Sequence, residues 1–222
     1  MKDAALVRVT REGLLDEALV ARLYAQLPAG AQLRTAGELE ESINSMLAGQ
    51  AEGEAVHVFG YGSLMWNPAF DHAGARPATV HGWHRNFCLR SIIGRGSPEQ
   101  PGLMLALDRG GACHGMLLCI EAHKARDELR VLWRREMMTG IYDARWVTAR
   151  AGAMAVRAIT FTANRAHSRY VRGLEVEEMA RMINCGAGAL GSCREYFDSV
   201  LEHLATLGVR DAGMERLRAA AG

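Results

Sequence analysis

The sequence has no long uninterrupted apolar run, so nothing in it reads as a membrane span. Its opening, MKDAALVRVTREGLLDEALV, carries acids at Asp3, Glu12, Asp16 and Glu17 and no apolar core, which argues against a secretory signal. Strong charge of one sign is missing too. The formal net charge of +1 is too small for the electrostatic footprint of a nucleic-acid binder, so small molecules are the expected partners. No C-x-x-C pair occurs, and the cysteines (Cys88, Cys113, Cys119, Cys185 and Cys193) are odd in number. Buried, free thiols in a reducing cytoplasm are expected. There is no internal repeat and no low-complexity tract. What is present is ordinary globular material, 222 residues at 49% hydrophobic and 23% charged, enough for one good core.

Residues 1–55 read as helical. Leu14, Leu15, Ala18, Leu19, Leu23 and Leu27 recur at helical spacing, and Pro28-Ala29-Gly30 would end that run. A second helix is expected over Thr35 to Leu47, with Leu39, Ile43, Met46 and Leu47 on one face and a capping box from Thr35 and Glu38. A flexible join, AGQAEGEA, follows. The middle of the chain reads as strands at 56–61, 77–91, 102–107, 112–121 and 154–162, separated by the turn sequences GRGSPEQPG and DRGG. One helix from about Ala122 to Thr139 interrupts them, and helices at 175–184, 192–207 and about 211–220 close the chain. This order predicts an α+β fold in which a curved sheet or small barrel holds the core.

Within HVFGYGSLMWNPAF, residues 57–70, an apolar run enters a Gly-Tyr-Gly-Ser turn. A nucleophile elbow needs G-x-S-x-G, but Ser63 is followed by Leu64 and Met65. A dinucleotide fingerprint starting at Gly60 would need glycine where Met65 stands. A potassium filter would need membrane helices. Two readings survive: a strand-end turn whose N–H groups converge on an anion or oxyanion, or a plain tight turn. Gly186-Ala-Gly188-Ala-Leu-Gly191 is a complete G-x-G-x-x-G, but the segment before it is helical, so it reads as a helix–helix linker. His81 and His84 lie three apart in an expected strand and face opposite sides, and adjacent Cys113 and His114 are split likewise, so no metal site is expected.

The most informative residue lies in ARDELRVLWRREMMTG. On a helical wheel Leu129, Leu132, Trp133, Glu136 and Gly140 share one side, and Asp127, Glu128, Arg130, Arg134 and Arg135 take the flanks and far side. A carboxylate in an apolar stripe is costly. Glu136 is either half of a structural ion pair, with Arg85, Arg90 or Arg145, or a group whose pKa is lifted by desolvation for acid–base work. The segments HGWHRNFCLRS (81–91) and YDARWV (142–147) mix aromatic and basic residues. Alternation puts Trp83, Arg85, Phe87 and Leu89 on one face, which favours a core face with an arginine in a polar pocket over a base-stacking platform. Tyr170 sits in a loop before a helix, where it could close over a pocket or lie on the surface.

Taken together, VFGYGSLMWNPAF, HGWHRNFCLRSIIGRGSPEQPGLMLALD, LWRREMMTGIY, NRAHSRYVRGL and EEMARMINCGAGALGSCREYF resemble, in order, the ChaC-like gamma-glutamylcyclotransferases. The likeness spans about residues 56 to 205 and is nearest the bacterial branch, since Cys-Leu-Arg-Ser stands where shorter relatives carry Trp-Gln-Gly-Ser. The resemblance implies a gamma-glutamylcyclotransferase-like domain over 56–222, a compact mixed sheet around a small barrel, with 1–55 an N-terminal helical extension. It implies cleavage of glutathione to 5-oxoproline and cysteinylglycine, with no cofactor or metal; with the charge, hydropathy and cysteine usage above, the expectation is a cytoplasmic enzyme with no nucleic-acid or membrane partner. Glu136 would align with the catalytic acid–base. Val58, Phe59, Gly60, Tyr61, Gly62, Ser63 and Leu64 would align with the substrate-binding turn, and Arg85, Arg90 and Tyr170 are further candidate substrate contacts. The rival expectations are a cyclotransferase for other gamma-glutamyl peptides or amines, and a non-catalytic regulator of cation transport.

Overall fold

Apolar and β-branched residues crowd the middle of the chain, and there the structure, a computed structural model describing residues 9–222 except 26, 28–30 and 52, closes a barrel. Five strands form it: β1 (Val56–Gly60), β2 (Gly74–Ser91), β3 (Gly102–Ile120), β4 (Tyr142–Ala151) and β5 (Met154–Ala163). Their order is β1-β3-β2-β4-β5. β1 runs antiparallel to β3 from Val56↔Ile120 to Gly60↔Met116, and parallel to β5 at Val58↔Ile159. β5 is antiparallel to β4 over its whole length, Tyr142↔Ala163 to Ala151↔Met154. Residues Ala158 to Ala163 of β5 are all buried, the continuous burial of a strand covered on both faces.

Contacts divide the chain into two compact units. The barrel unit holds Gln32–Arg85 and Leu107–Asn164, and the second unit holds Met1–Ala31, Asn86–Ala106 and Arg165–Gly222. In the barrel unit the core is built from Val58, Phe59, Val80, Leu107, Leu117, Ile120, Ile159 and Phe161, with Trp133 of α4 (Ala125–Glu136) packed edge-on against Phe161 at 5.5 Å. α3 (Ala36–Leu47) lies on α4. It buries Leu39 and Ile43, takes the Trp133 indole N–H on Ser42 Oγ at 3.0 Å, and sets Glu40 between Arg126 and Arg130. Its capping box forms as expected, with Thr35 N–H donating to Glu38 at 2.7 Å and Glu38 N–H donating to Thr35 at 3.2 Å.

The second unit contains α1 (Arg11–Leu15), α2 (Glu17–Tyr24), α5 (Val176–Cys185), α6 (Cys193–Thr206) and α7 (Ala212–Ala221). A hairpin of β6 (Ala187–Gly188) and β7 (Gly191–Ser192) joins α5 to α6. This is the G-x-G-x-x-G segment, and a helix precedes it, as the linker reading requires. Its glycines serve close packing: a Cβ on Gly186 would sit 2.4 Å from Gly102 Cα, and one on Gly188 would sit 2.4 Å from the Gly96 carbonyl. Phe87 anchors α6 through edge-on contacts with Tyr196 and Phe197.

Several boundaries differ from the sequence reading. DRGG does not split β3; Gly110 (φ 102°) and Gly111 (φ 71°) adopt left-handed conformations that let one long strand bend and continue. β4 has no counterpart in the sequence reading; its burial lacks clean alternation, with three of its ten residues exposed and four half-buried. The first helical run is broken at Asp16, whose carboxylate caps Ala18 and Leu19 and starts a new helix. Pro28-Ala29-Gly30, its expected stop, falls outside the described residues. Among the described residues no helix is long and apolar enough to cross a membrane. All five cysteines are free, although Cys185 is exposed and Cys119 half-buried rather than buried.

β3 passes close to β1 at Gly115, where an added Cβ would lie 2.3 Å from the Gly60 carbonyl oxygen and 2.9 Å from Phe59. Gly115→Ala is expected to destabilise the fold by about 1–3 kcal/mol or more in urea unfolding. Gly74→Ala, at a strand end with open space around it, should stay within about 0.5 kcal/mol of wild type.

Candidate active site

β1 ends at Gly60 and the chain turns at once into a short 3₁₀ segment, Ser63–Met65. Glycine is required at the first position, because a Cβ on Gly60 would sit 2.8 Å from Leu64 Cβ. The turn closes with Met65 N–H on the Gly62 carbonyl at 2.9 Å and Asn67 N–H on the Ser63 carbonyl at 2.8 Å. Among the described residues, none of the backbone bonds closing the turn uses the N–H of Gly62 or Ser63. Beneath the turn Tyr61 is buried and its hydroxyl donates to the Phe161 carbonyl at 2.6 Å. Arg85, only 3% exposed, donates from Nε to the Tyr61 carbonyl at 2.8 Å and from Nη2 to the His114 carbonyl at 2.5 Å. That guanidinium fixes the turn's backbone to two strands of the barrel.

Glu136 is the last residue of α4, and its side chain is 14% exposed. Burial pushes its pKa up from the ordinary 4.5, and the Arg135 guanidinium, with Nε 3.0 Å from Glu136 Oε1, pulls the other way. The position opposes ionisation further, since the C-terminal end of a helix dipole disfavours negative charge. Arg135 reaches on to the turn: Nη2 donates to Ser63 Oγ at 2.7 Å and Nη1 to the Asn67 carbonyl at 2.5 Å. The structure therefore brings Glu136 to the turn 58–64 through a neighbour that the helical wheel put off the apolar face.

None of the arginines named as ion-pair partners for Glu136 is the one it uses. Arg85 holds the turn, Arg145 bonds Asp143 and Thr162, and Arg90 belongs to the second unit. There Arg90 is exposed and its N–H donates to the Arg169 carbonyl at 2.8 Å. Tyr170 bridges to Leu89 in the same unit, is half-buried, and accepts from Arg165 Nε at 3.1 Å. Ser63 Oγ accepts from Arg135, and among the described residues no hydrogen bond joins it to a carboxylate or an imidazole. Two further features escaped the sequence. Glu128, put on the flank by the wheel, is 2% exposed and accepts from Asp71 N–H at 2.9 Å, so it pins the segment leaving the turn. Trp83 lines a shallow groove of about 660 Å³ with His81, Trp146 and Arg150 instead of joining the core. Among the described residues no group of three or more His, Cys, Asp or Glu could hold a metal ion.

The profile of the family described as "ChaC-like protein" matches residues 56–221, a span that contains the turn, Arg85, Glu128, Arg135 and Glu136. The chain belongs to the ChaC-like family. Among its ChaC-like relatives, the glutathione-specific gamma-glutamylcyclotransferase of Escherichia coli K12 is 37% identical over 83% of this chain and 80% of its own length. Glutathione-specific gamma-glutamylcyclotransferase 1 of Homo sapiens is 30% identical over 64% of this chain and 67% of its own. A crystal structure of a glutathione-specific gamma-glutamyl cyclotransferase from yeast superposes with a TM-score of 0.67, at 19% identity, covering 76% of this chain and 98% of that one. The α+β barrel architecture is thus shared with that solved structure.

The raised pKa of Glu136 has a stability consequence with a definite sign. A carboxyl whose folded pKa lies above its unfolded value contributes stability below the unfolded value, and that contribution is lost as pH rises through the folded one. Glu136→Gln, which cannot ionise, should therefore gain in Tm relative to wild type as pH is raised from about 4 to about 8. Thermal melts of the two proteins across that range measure it.

Proposed function

We propose that this chain is a glutathione-specific gamma-glutamylcyclotransferase that works in the cytoplasm, with Glu136 as its acid–base. The observation that carries the reading is one carboxylate, nearly out of water and raised in pKa, held beside a glycine turn. The α-amine of the gamma-glutamyl group attacks its own side-chain amide carbon. A C–N bond forms to close the five-membered ring, and the amide C–N bond to cysteinylglycine breaks. The proton that leaves the attacking amine passes to Glu136 and from there to the departing amine, so no water is consumed and no covalent enzyme intermediate forms. One group can serve both transfers because a carboxyl with a raised pKa is a better base than an ordinary glutamate and remains a competent acid.

The turn supplies what the carboxylate does not. With the N–H groups of Gly62 and Ser63 clear of the turn's own closing bonds, the backbone can donate to an anionic oxygen: the substrate carboxylate, or the amide oxygen as it gains charge. Holding the gamma-glutamyl group folded also favours ring closure by proximity. Arg85 supports this as a brace, since it holds the Tyr61 carbonyl from behind. On this reading the catalytic domain starts near Val56 and residues 1–55 form an N-terminal helical extension.

Purified protein incubated with glutathione should yield 5-oxoproline and cysteinylglycine in equal amounts, with gamma-glutamylalanine turned over far more slowly. Glu136→Gln should cut kcat by about 100-fold or more with the fold retained. Full activity in that variant would remove Glu136 from the mechanism. Equal turnover of the two substrates would replace glutathione by gamma-glutamyl compounds at large.

A further inference from the structure

Arg135 and Glu136 are consecutive residues of one helix, and neighbours one apart on a helix point about 100° away from each other. They do not pair as a matter of helix geometry. Here they meet because α4 ends at Glu136 and because the Arg135 side chain, 10% exposed, is drawn toward the turn by two further acceptors. Its planar fork reaches three groups at once: the Glu136 carboxylate through Nε, the Asn67 carbonyl through Nη1 and the Ser63 hydroxyl through Nη2. A guanidinium can hold three acceptors in fixed relative positions; an ammonium on a flexible stem cannot.

We infer that Arg135 is a positioning residue for the cyclotransferase reaction, a rigid coupler that registers the Glu136 carboxylate against the Ser63–Asn67 turn. The inference rests on the acid–base role of Glu136 proposed above. If the turn holds the gamma-glutamyl group, the distance from its amine to the carboxylate is set by one side chain bonded to both. Ser63, whose sequence context does not fit a nucleophile elbow, acquires a role as the turn's side-chain handle for that coupler. Asn67 accepts from the coupler through its backbone carbonyl.

Arg135 is also the charge that acts on Glu136 against its burial. Removing the guanidinium removes the influence that favours the carboxylate, so the basic form of Glu136 is populated only at higher pH. A purely structural arginine would not change the pH dependence of the reaction. This separates the two roles experimentally.

The test is 5-oxoproline formation from glutathione across a pH series, with circular dichroism as a check on folding, for wild type, Arg135→Gln, Arg135→Lys, Ser63→Ala and Glu136→Gln. Arg135→Gln should lower kcat by about 100-fold, the scale of a small misplacement of reacting groups. It should also move the acid limb of the kcat/KM profile to higher pH. Arg135→Lys keeps the charge but not the fork, so kcat should fall while the acid limb stays near wild type. Ser63→Ala should lower kcat severalfold with a smaller change in KM. Loss of activity in Arg135→Gln with an unmoved acid limb, or wild-type kinetics in that variant, would overturn the inference. If both arginine variants fail to fold, Ser63→Ala decides: unchanged kcat and KM would overturn it. Glu136→Gln keeps the two readings apart. If it retains activity, the acid–base proposal fails; if it is inactive while Arg135→Gln keeps a wild-type profile, only the coupling fails.

Discussion

A carboxylate that must be kept nearly dry, and yet able to ionise, is the constraint to which the rest of this structure answers. Glu136 stands at the end of a helix, where the dipole opposes its charge, and beneath the surface, where desolvation opposes it too. α4 can present it there only because the preceding turns are driven into the barrel by Leu129, Leu132 and Trp133. The apolar face supplies the positional energy, and the carboxylate rides at its end. Loosening that face would let water reach Glu136 and return its pKa toward that of a surface glutamate.

The other side of α4 is held by α3. Glu40, Ser42 and the buried pair Leu39 and Ile43 grip it along its length, and the Arg34 N–H donates to the Met138 carbonyl at 2.9 Å just beyond Glu136. A segment that lies before the family match therefore borders the loop that follows the catalytic candidate. The likeness to shorter relatives gave no warning of this, because it begins at the barrel's first strand.

The sequence and the structure agree where local chemistry is decisive. Thr35 and Glu38 announced a cap because both partners of the box are close in the chain. The glycines of the 60–63 turn announced a turn for the same reason, and the burial of Glu136 was legible because a lone acid among Leu129, Leu132 and Trp133 breaks the period. What was not legible depends on partners distant in sequence. Arg135 looked like a solvated flank residue because its acceptors, Ser63 and Asn67, are fixed only by the tertiary fold. Glu128 looked exposed because nothing in its own helix shows that Asp71 N–H will cover it. β4 hid because its burial, with Tyr142, Ala149 and Ala151 covered and the residues between them half-buried or exposed, carries no strict alternation.

The ladder of β1 carries a consequence for how the molecule assembles. β1 has no neighbour nearby in sequence: it pairs with β3 some sixty residues on, at Val56↔Ile120, and with β5 about a hundred residues on, at Val58↔Ile159. Such pairings close long loops and form slowly. The turn that follows β1 and the helix end that carries Glu136 are brought together by these distant pairings and not by any local element. The dehydration of Glu136 is therefore a property of the whole barrel and not of its own helix.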